Sequence, residues 1–354
     1  MKILIDARPL QTYSRFRGIG RYVDQIIELF KNNKDIYFLF FDGTDIDKRS
    51  HNRIIIKTPR RAVTFTDKIF LPRLLKKHKI DVFHSTAFAL PFRRSGIKYI
   101  ITIHDLTPLL FKKFSSAKNI FIFKAILNSA KAADKIIAVS KNTKNDLINL
   151  KNIPPGKITV VYNPIDQAKK DVKPNMGKYN HFPSEYVFYA GGFDGNKNVE
   201  TIVKALNIFR KPLVLTGLIS DENKERLMKI IKKENRNMLF FTGFVSDEEL
   251  TYLYSKAKLF VFPSLYEGFG YPPLEALQNG TPSITSRSGS IEEVMEDASL
   301  YLNDPLDGNE LSEKINLLWN DRALREKLLS HSGNILNKYS MKRFRKKLED
   351  LYFS

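Results

Sequence analysis

One stretch constrains the fold of this chain more than any other: FVFPSLYEGFGYPPLEALQNGTP, residues 260–282. Phe260 to Phe262 is a short apolar run of strand character. Gly268 and Gly270 bracket Phe269 and allow backbone angles that a Cβ forbids. Pro272 and Pro273 suit a first helical turn, where a missing N–H costs nothing. Leu274, Ala276 and Leu277 carry the helix to Asn279-Gly280, a C-terminal stop. Two carboxylates frame the unit. Glu267 enters the loop and Glu275 sits early in the helix, with seven residues between them. A glycine loop at a helix N-terminus presents unpaired N–H groups to an anion. The residues alone therefore read as a phosphate-type loop with an acid on either side.

The unit recurs. Lys2 to Asp6 is a strand, Arg8 to Gly20 a loop with Gly18 and Gly20, and a helix follows with Tyr22, Val23, Ile26, Ile27 and Phe30 on one face. Tyr186 to Ala190 is another strand. Gly191-Gly192-Phe193-Asp194-Gly195-Asn196-Lys197-Asn198 comes next, then a helix with Val199, Ile202, Val203, Leu206 and Phe209 on one face. Lys197 precedes that helix and faces the same anion as its amides. Further strands are expected at 36–41, 54–57, 80–84, 99–103, 135–139, 213–216, 239–242 and 300–302, and helices at 65–79, 117–133 and 141–150. Near-continuous apolar strands alternating with amphipathic helices predict an α/β chain with parallel sheets. Ligands of such sheets sit at the carboxyl ends of strands. His104-Asp105, at the end of the 99–103 strand, is placed for chemistry, and His84 ends another strand. Two helices are expected over 309–339 and a last basic helix over 341–352. The polar segment from Gln167 to Pro183 reads as a linker. Asp42, Asp45 and Asp47 accompany Gly43 as turn chemistry rather than as a metal site.

Length and charge add limits. A chain of 354 residues has a prior of two domains. It has no cysteine, which excludes a disulfide framework and thiolate metal sites. The apolar run from Ile120 to Leu127 is broken by Lys124 and is far short of the roughly 18 residues of a membrane span. A cytoplasmic protein is expected, with a peripheral place on the inner membrane face. The net charge of +20 implies a polyanionic partner or surface. From Lys48 to Lys79 there are eleven Lys or Arg and one acid, Asp67, interleaved with Phe65, Ile69, Phe70, Leu74 and Leu75. That composition suits an anionic bilayer or a solvated basic face.

Glu267-Gly268-Phe269-Gly270 with Glu275 resembles the E-x7-E signature of the retaining glycosyltransferases of family 4. The resemblance implies the GT-B fold: two facing Rossmann-like domains with parallel sheets and a C-terminal helix returning to the first. The domains would be 1–170 on the acceptor side, 184–335 for the nucleotide-sugar, and 336–354 as the returning helix. It implies hexosyl transfer, of mannose or another hexose, from a nucleoside diphosphate sugar, GDP- or UDP-linked, to a hydroxyl of a glycan or lipid-linked acceptor. Cell-surface polysaccharide or lipopolysaccharide synthesis would be the setting. By the same resemblance Glu267, His104 and Lys197 are the catalytic residues. Gly18, Gly20, Gly192, Lys197, Gly243, Phe244, Val245, Gly268, Phe269, Gly270, Tyr271 and Glu275 bind the nucleotide-sugar, with Glu275 on the ribose and Gly243 to Val245 against the base. No metal, no cofactor and no nucleic acid are expected. The family usually has G-R-x-x-x-x-K where this chain has Gly191, Gly192 and Lys197, so one cation is missing; Arg8, Arg15, Arg17 or Arg21 could replace it. A sugar-nucleotide epimerase, a glycan phosphorylase or a basic nucleic-acid-binding protein are the alternatives.

Overall fold

The computed structural model describes residues 1–43, 49, 51–57, 63–165, 176–179 and 182–354. Asp45, Asp47, Lys48, Arg60, Arg61, the Phe65 side chain and most of the 167–183 linker lie outside the described residues. The chain forms two compact units, Met1–Pro164 with Tyr339–Ser354, and Ile165–Lys338.

The first unit runs β1 (Ile3–Asp6), α1 (Gly18–Phe30), β2 (Ile36–Phe41), β3 (Arg53–Ile56), α2 (Val63–Lys77), β4 (Val82–Ser85), β5 (Lys98–Ile103), α3 (Thr107–Leu110), α4 (Ala117–Ala130), β6 (Lys135–Ala138), α5 (Lys141–Lys151) and β7 (Ile158–Val160). Among the described residues its strands form one seven-stranded parallel sheet, β3-β2-β1-β4-β5-β6-β7. Both faces are covered, which is why β1 and β4 are buried along their whole length. One face packs α1 and the last helix of the chain through Tyr22, Ile26, Phe30, Phe344, Leu348 and Tyr352. The other packs α2, α4 and α5 through Leu71, Leu75, Leu127 and Leu147.

The segment from Arg8 to Gly20 is not an open loop. It makes two 3-10 turns, Arg8–Gln11 and Tyr13–Phe16, and α1 already starts at Gly18. A Cβ on Gly20 would lie 2.5 Å from Arg15 Cα, so only glycine lets the helix pass this turn. Arg8 does not offer a cation to a ligand either. Its guanidinium is fully buried and bidentate to both Asp6 (2.8 and 2.6 Å) and Asp67 (2.9 and 2.6 Å). Arg15 and Arg17 are exposed, over the rings of Phe16 and Tyr13.

His84 belongs to the core. Nδ1 meets Tyr352 Oη at 2.7 Å and Nε2 meets Thr102 Oγ1 at 2.8 Å, and Thr102 Oγ1 also meets Tyr22 Oη at 3.0 Å. Burial, with a smaller push from His104, lowers the His84 pKa to about 3. The native state therefore binds His84's proton less readily than the unfolded chain, whose value is about 6.5. Stability from this group is complete above pH 6.5 and falls by about 1.4 kcal/mol per pH unit as pH drops towards 3. Urea midpoints at pH 7 and pH 5 should differ accordingly, and His84→Gln should flatten the difference. Equal slopes in both proteins would refute the buried neutral imidazole.

The second unit runs β8 (Val187–Ala190), α6 (Val199–Phe209), β9 (Leu213–Thr216), α7 (Asp221–Ile230), β10 (Leu239–Gly243), α8 (Asp247–Lys256), β11 (Leu259–Phe262), α9 (Tyr271–Gln278), β12 (Ser283–Ser286), α10 (Ile291–Met295) and β13 (Ser299–Leu302). Its described strands form a six-stranded parallel sheet, β10-β9-β8-β11-β12-β13. Three helices follow, not two: α11 (Gly308–Asn320), α12 (Arg322–Ser330) and α13 (Ser332–Lys338). Asp321 makes the extra break, ending α11 and capping α12 through Leu324 N at 2.9 Å. Then α14 (Met341–Phe353) joins the core of the first unit.

Candidate active site

The strand order of the second unit reverses between β8 and β11, the place where open α/β sheets bind ligands at their carboxyl ends. The two loops leaving these strands are laced together. Leu265 N donates to Asn196 O at 2.7 Å, Asn196 Nδ2 to Tyr266 O at 3.3 Å, and Asn198 Nδ2 to Pro263 O at 3.1 Å. Asn198 takes the left-handed conformation, φ 56°, that asparagine tolerates and that turns the chain into α6.

This lacing brings Lys197 and Glu267 together although 70 positions separate them. Lys197 Nζ lies 2.6 Å from Glu267 Oε1, and Ser264 Oγ donates to the same oxygen at 2.7 Å. The side chains are 21% and 11% exposed, so the pair is only thinly screened. Phe262 lies beneath Lys197, with Nζ 5.8 Å from the ring centroid. Tyr189, buried below the loop, donates its hydroxyl to Gly192 O; burial, then the Glu267 charge, raises its pKa well above the usual tyrosine value.

After Glu267 the loop turns through Gly268 and Phe269 to Gly270, whose φ of 90° starts α9. Gly268, Phe269, Gly270 and Tyr271 are buried. Glu275 projects from α9, and Tyr254 of α8 donates to its Oε2 at 3.0 Å. Gly243 ends β10 and Phe244 and Val245 follow it, two strands from β8 and thus about 10 Å away. Phe244 is 57% exposed and Val245 is buried.

Gly289 and Ser290 also build this site, and the sequence alone assigns them no part in it. A Cβ on Gly289 would lie 2.5 Å from Glu267 O, and Ser290 N donates to that same carbonyl at 3.1 Å. The residues that fix the backbone of Glu267 thus come from the next strand-to-helix turn. Only the glycine's position, with φ 63°, hints at this contact.

In the first unit His104 follows directly on β5. Its Nε2 donates to Thr86 O at 2.8 Å, which leaves Nδ1 as the acceptor of the neutral ring. Burial lowers its pKa against the opposing pull of Thr86 O and Asp105, so the ring is neutral at pH 7. The Tyr22 ring stands edge-on to it, 5.0 Å between centroids. Asp105 Oδ1 accepts from Thr107 N at 2.8 Å and starts α3. Among the described residues no group of three or more His, Cys, Asp or Glu side chains is placed to hold a metal ion.

Two Rossmann-like units, each with a parallel sheet, together with the solved structures that superimpose on them, give the protein the GT-B fold. The particular family follows from comparison. Residues 16–169 match the Glycosyltransferase Family 4 model and residues 171–332 match the model of Glycosyl transferases group 1. The chain belongs to the family 4 glycosyltransferases. It is 27% identical over 358 residues to the O-antigen chain mannosyltransferase B of Escherichia coli, covering 92% of each chain. It is 30% identical over 262 residues to the E. coli serotype-specific mannosyltransferase WbdA, which covers 69% of this chain but only 32% of that longer protein. The structure of HepE from Anabaena, in complex with UDP and glucose, superimposes with a TM-score of 0.75 at 17% identity over 99% of both chains.

Proposed function

We propose that the protein moves a hexose, mannose or another, from a nucleoside diphosphate sugar to a hydroxyl of a glycan or lipid-linked acceptor, with retention at the anomeric carbon, in cell-surface polysaccharide synthesis. The observation that carries this reading is the Lys197–Glu267 pair at the heads of β8 and β11. The mannosyltransferase names of the relatives and the UDP and glucose bound by HepE support it.

Each residue then has a task. Lys197 and the positive end of α9 oppose the charge that grows on the leaving diphosphate. Both hydrogen bonds to the Glu267 carboxylate go to Oε1, and Oε2 takes hydroxyls of the transferring sugar. Glu275 binds the ribose hydroxyls, and Phe244 lies against the base. His104 accepts a substrate hydroxyl at Nδ1. The acceptor oxygen bonds to the anomeric carbon as the bond to phosphate breaks, and its proton passes to the leaving phosphate on the same face. Neither metal nor cofactor takes part. The enzyme works at the cytoplasmic side of the membrane; no helix among the described residues is long and apolar enough to cross it.

Incubating the purified protein with GDP- and UDP-hexoses should release the matching nucleoside diphosphate, and NMR of the product should show the donor's anomeric configuration. An inverted product would overturn retention. Glu275→Gln should raise donor KM about tenfold, through loss of a charge-assisted bond, with kcat nearly unchanged. Activity should survive chelation; an absolute need for manganese or magnesium, restored on add-back, would refute the metal-free mechanism.

A further inference from the structure

His104 is hydrogen-bonded through one ring nitrogen. Nε2 meets Thr86 O at 2.8 Å, and a carbonyl only accepts, so Nε2 carries the proton. Nδ1 has no hydrogen-bond partner among the described residues. The two ring nitrogens point in diverging directions, so anchoring Nε2 on Thr86 turns Nδ1 the other way. Tyr22 closes the ring edge-on at 5.0 Å, and Thr143 Oγ1 of α5 donates to His104 O at 3.4 Å. The ring thus has one orientation and one tautomer, and Thr86 O selects both.

The sheet ladder stops short of Thr86. The pairing of β4 with β1 ends at Ile5–His84, and that of β4 with β5 ends at Ser85–Ile101. Thr86 lies beyond both and is fully buried. Its own hydroxyl takes over from the ladder: Oγ1 donates to Asp6 O at 2.6 Å. Asp6 in turn is tightly held. Its carboxylate accepts from Arg8 N, Nε and Nη2 at 3.1, 2.8 and 2.6 Å, and Arg8 is bound on to Asp67 of α2. Ser85 Oγ donates to Phe88 O at 2.6 Å and holds the segment on either side of Thr86. A chain of buried hydrogen bonds therefore runs from Asp67 through Arg8, Asp6 and Thr86 to the His104 ring.

We propose that Thr86 is a positioning residue: its hydroxyl, tied to Asp6, sets the carbonyl that fixes the His104 ring, and Nδ1 then meets a substrate hydroxyl without first having to turn. The inference rests on the reading of His104 as a substrate-binding group and names what holds it in place. Preorganisation is the physical gain. A ring free to rotate must be ordered again in each turnover, and a small misplacement weakens any bond it makes in the transition state. A purely structural hydroxyl would need only an acceptor. Here Thr86 Oγ1 is bonded to the last residue of β1 and Thr86 O to His104, so strand and imidazole are joined through a single residue. His84, on the neighbouring strand, has no nitrogen to offer a substrate, because Tyr352 and Thr102 take both.

NMR of the full chain with isotope-labelled histidine tests the anchor directly, the His104→Ala spectrum giving the assignment. In the wild type His104 should show a bare Nδ1 and a protonated Nε2 in slow exchange with water. In Thr86→Val, which keeps the shape and loses the hydroxyl, that proton should exchange rapidly. In donor turnover Thr86→Val should lower kcat/KM about tenfold, the worth of one hydrogen bond. Thr86→Ser, which keeps the hydroxyl, should stay near wild type. The loss should vanish in a His104→Ala background, because a positioning residue acts only through the group it positions. A general loosening of the fold would cost the same factor in both backgrounds, and a melting curve checks that each variant is folded. The proposal is overturned if wild-type His104 carries its proton on Nδ1, a result that needs no variant. It is also overturned if Thr86→Val turns over like wild type while His104→Ala is impaired, or if the Thr86→Val loss persists in the His104→Ala background. Wild-type turnover in His104→Ala would instead sink the substrate reading of the histidine, and the NMR reports separately whether Thr86 anchors the ring.

Discussion

Replacing Glu267 with Gln is expected to lower kcat by roughly 10²–10³ while donor KM changes little. The reasoning starts from the shared oxygen. Glu267 Oε1 holds both Lys197 Nζ and Ser264 Oγ in a site that is mostly shielded from water. A unit charge pair near 4 Å is worth roughly 4 kcal/mol at an effective dielectric of 20, so Glu267 largely decides where the ammonium sits. Gln keeps the shape and loses the charge, and Lys197 is then free to leave the line of the departing phosphate. Lys197→Met should cost a similar factor, and the double variant should be little worse than either single one, because the two act as a unit. Single-turnover rates with saturating donor give the measurement. Additive losses, or wild-type turnover in Glu267→Gln, would break the assignment.

The largest effect on stability is expected at Arg8. Arg8→Met leaves Asp6 and Asp67 facing each other in the core without their counter-charge, and should destabilise the protein by about 3–5 kcal/mol. Burial already raises the Asp67 pKa above the ordinary aspartate value. In the variant Asp67 would hold its proton more tightly still, so acid should partly rescue the fold. A group whose folded pKa is raised adds stability below its unfolded value and loses it as pH rises through the folded value. Urea melts at pH 5 and pH 7 should therefore show a smaller deficit at pH 5. An Arg8→Met midpoint equal to that of wild type would mean that the triad contributes nothing.

These two sites also divide what the sequence made legible from what it hid. The strand, glycine loop and helix around Glu267 were readable because every signal there is local: the prolines, the glycines and the two acids lie within 23 residues. The pairing of Arg8 with Asp67 spans 59 positions and that of His84 with Tyr352 spans 268, and neither shows a periodic trace. Arg8 looked like a ligand-binding cation because a buried arginine and a surface arginine are the same letter. Gly289 gave no sign of its role because the carbonyl it abuts belongs to Glu267, 22 residues earlier. Ile69 and Phe70 follow the general pattern of a half-apolar helix, and the side they face depends on which turn Asp67 anchors.

The chain's last helix has a consequence for how the protein is made. Tyr352, Phe344 and Leu348 fill the core of the first unit, yet a ribosome reaches them only after the whole of Ile165–Lys338 has been synthesised. The nascent amino-terminal sheet therefore emerges with one side unfinished and His84 without its tyrosine. Loss of residues 341–353 should therefore harm the first unit rather than the second. During translation, Ile165–Lys338 can settle early, while the β1–β7 sheet waits for α14.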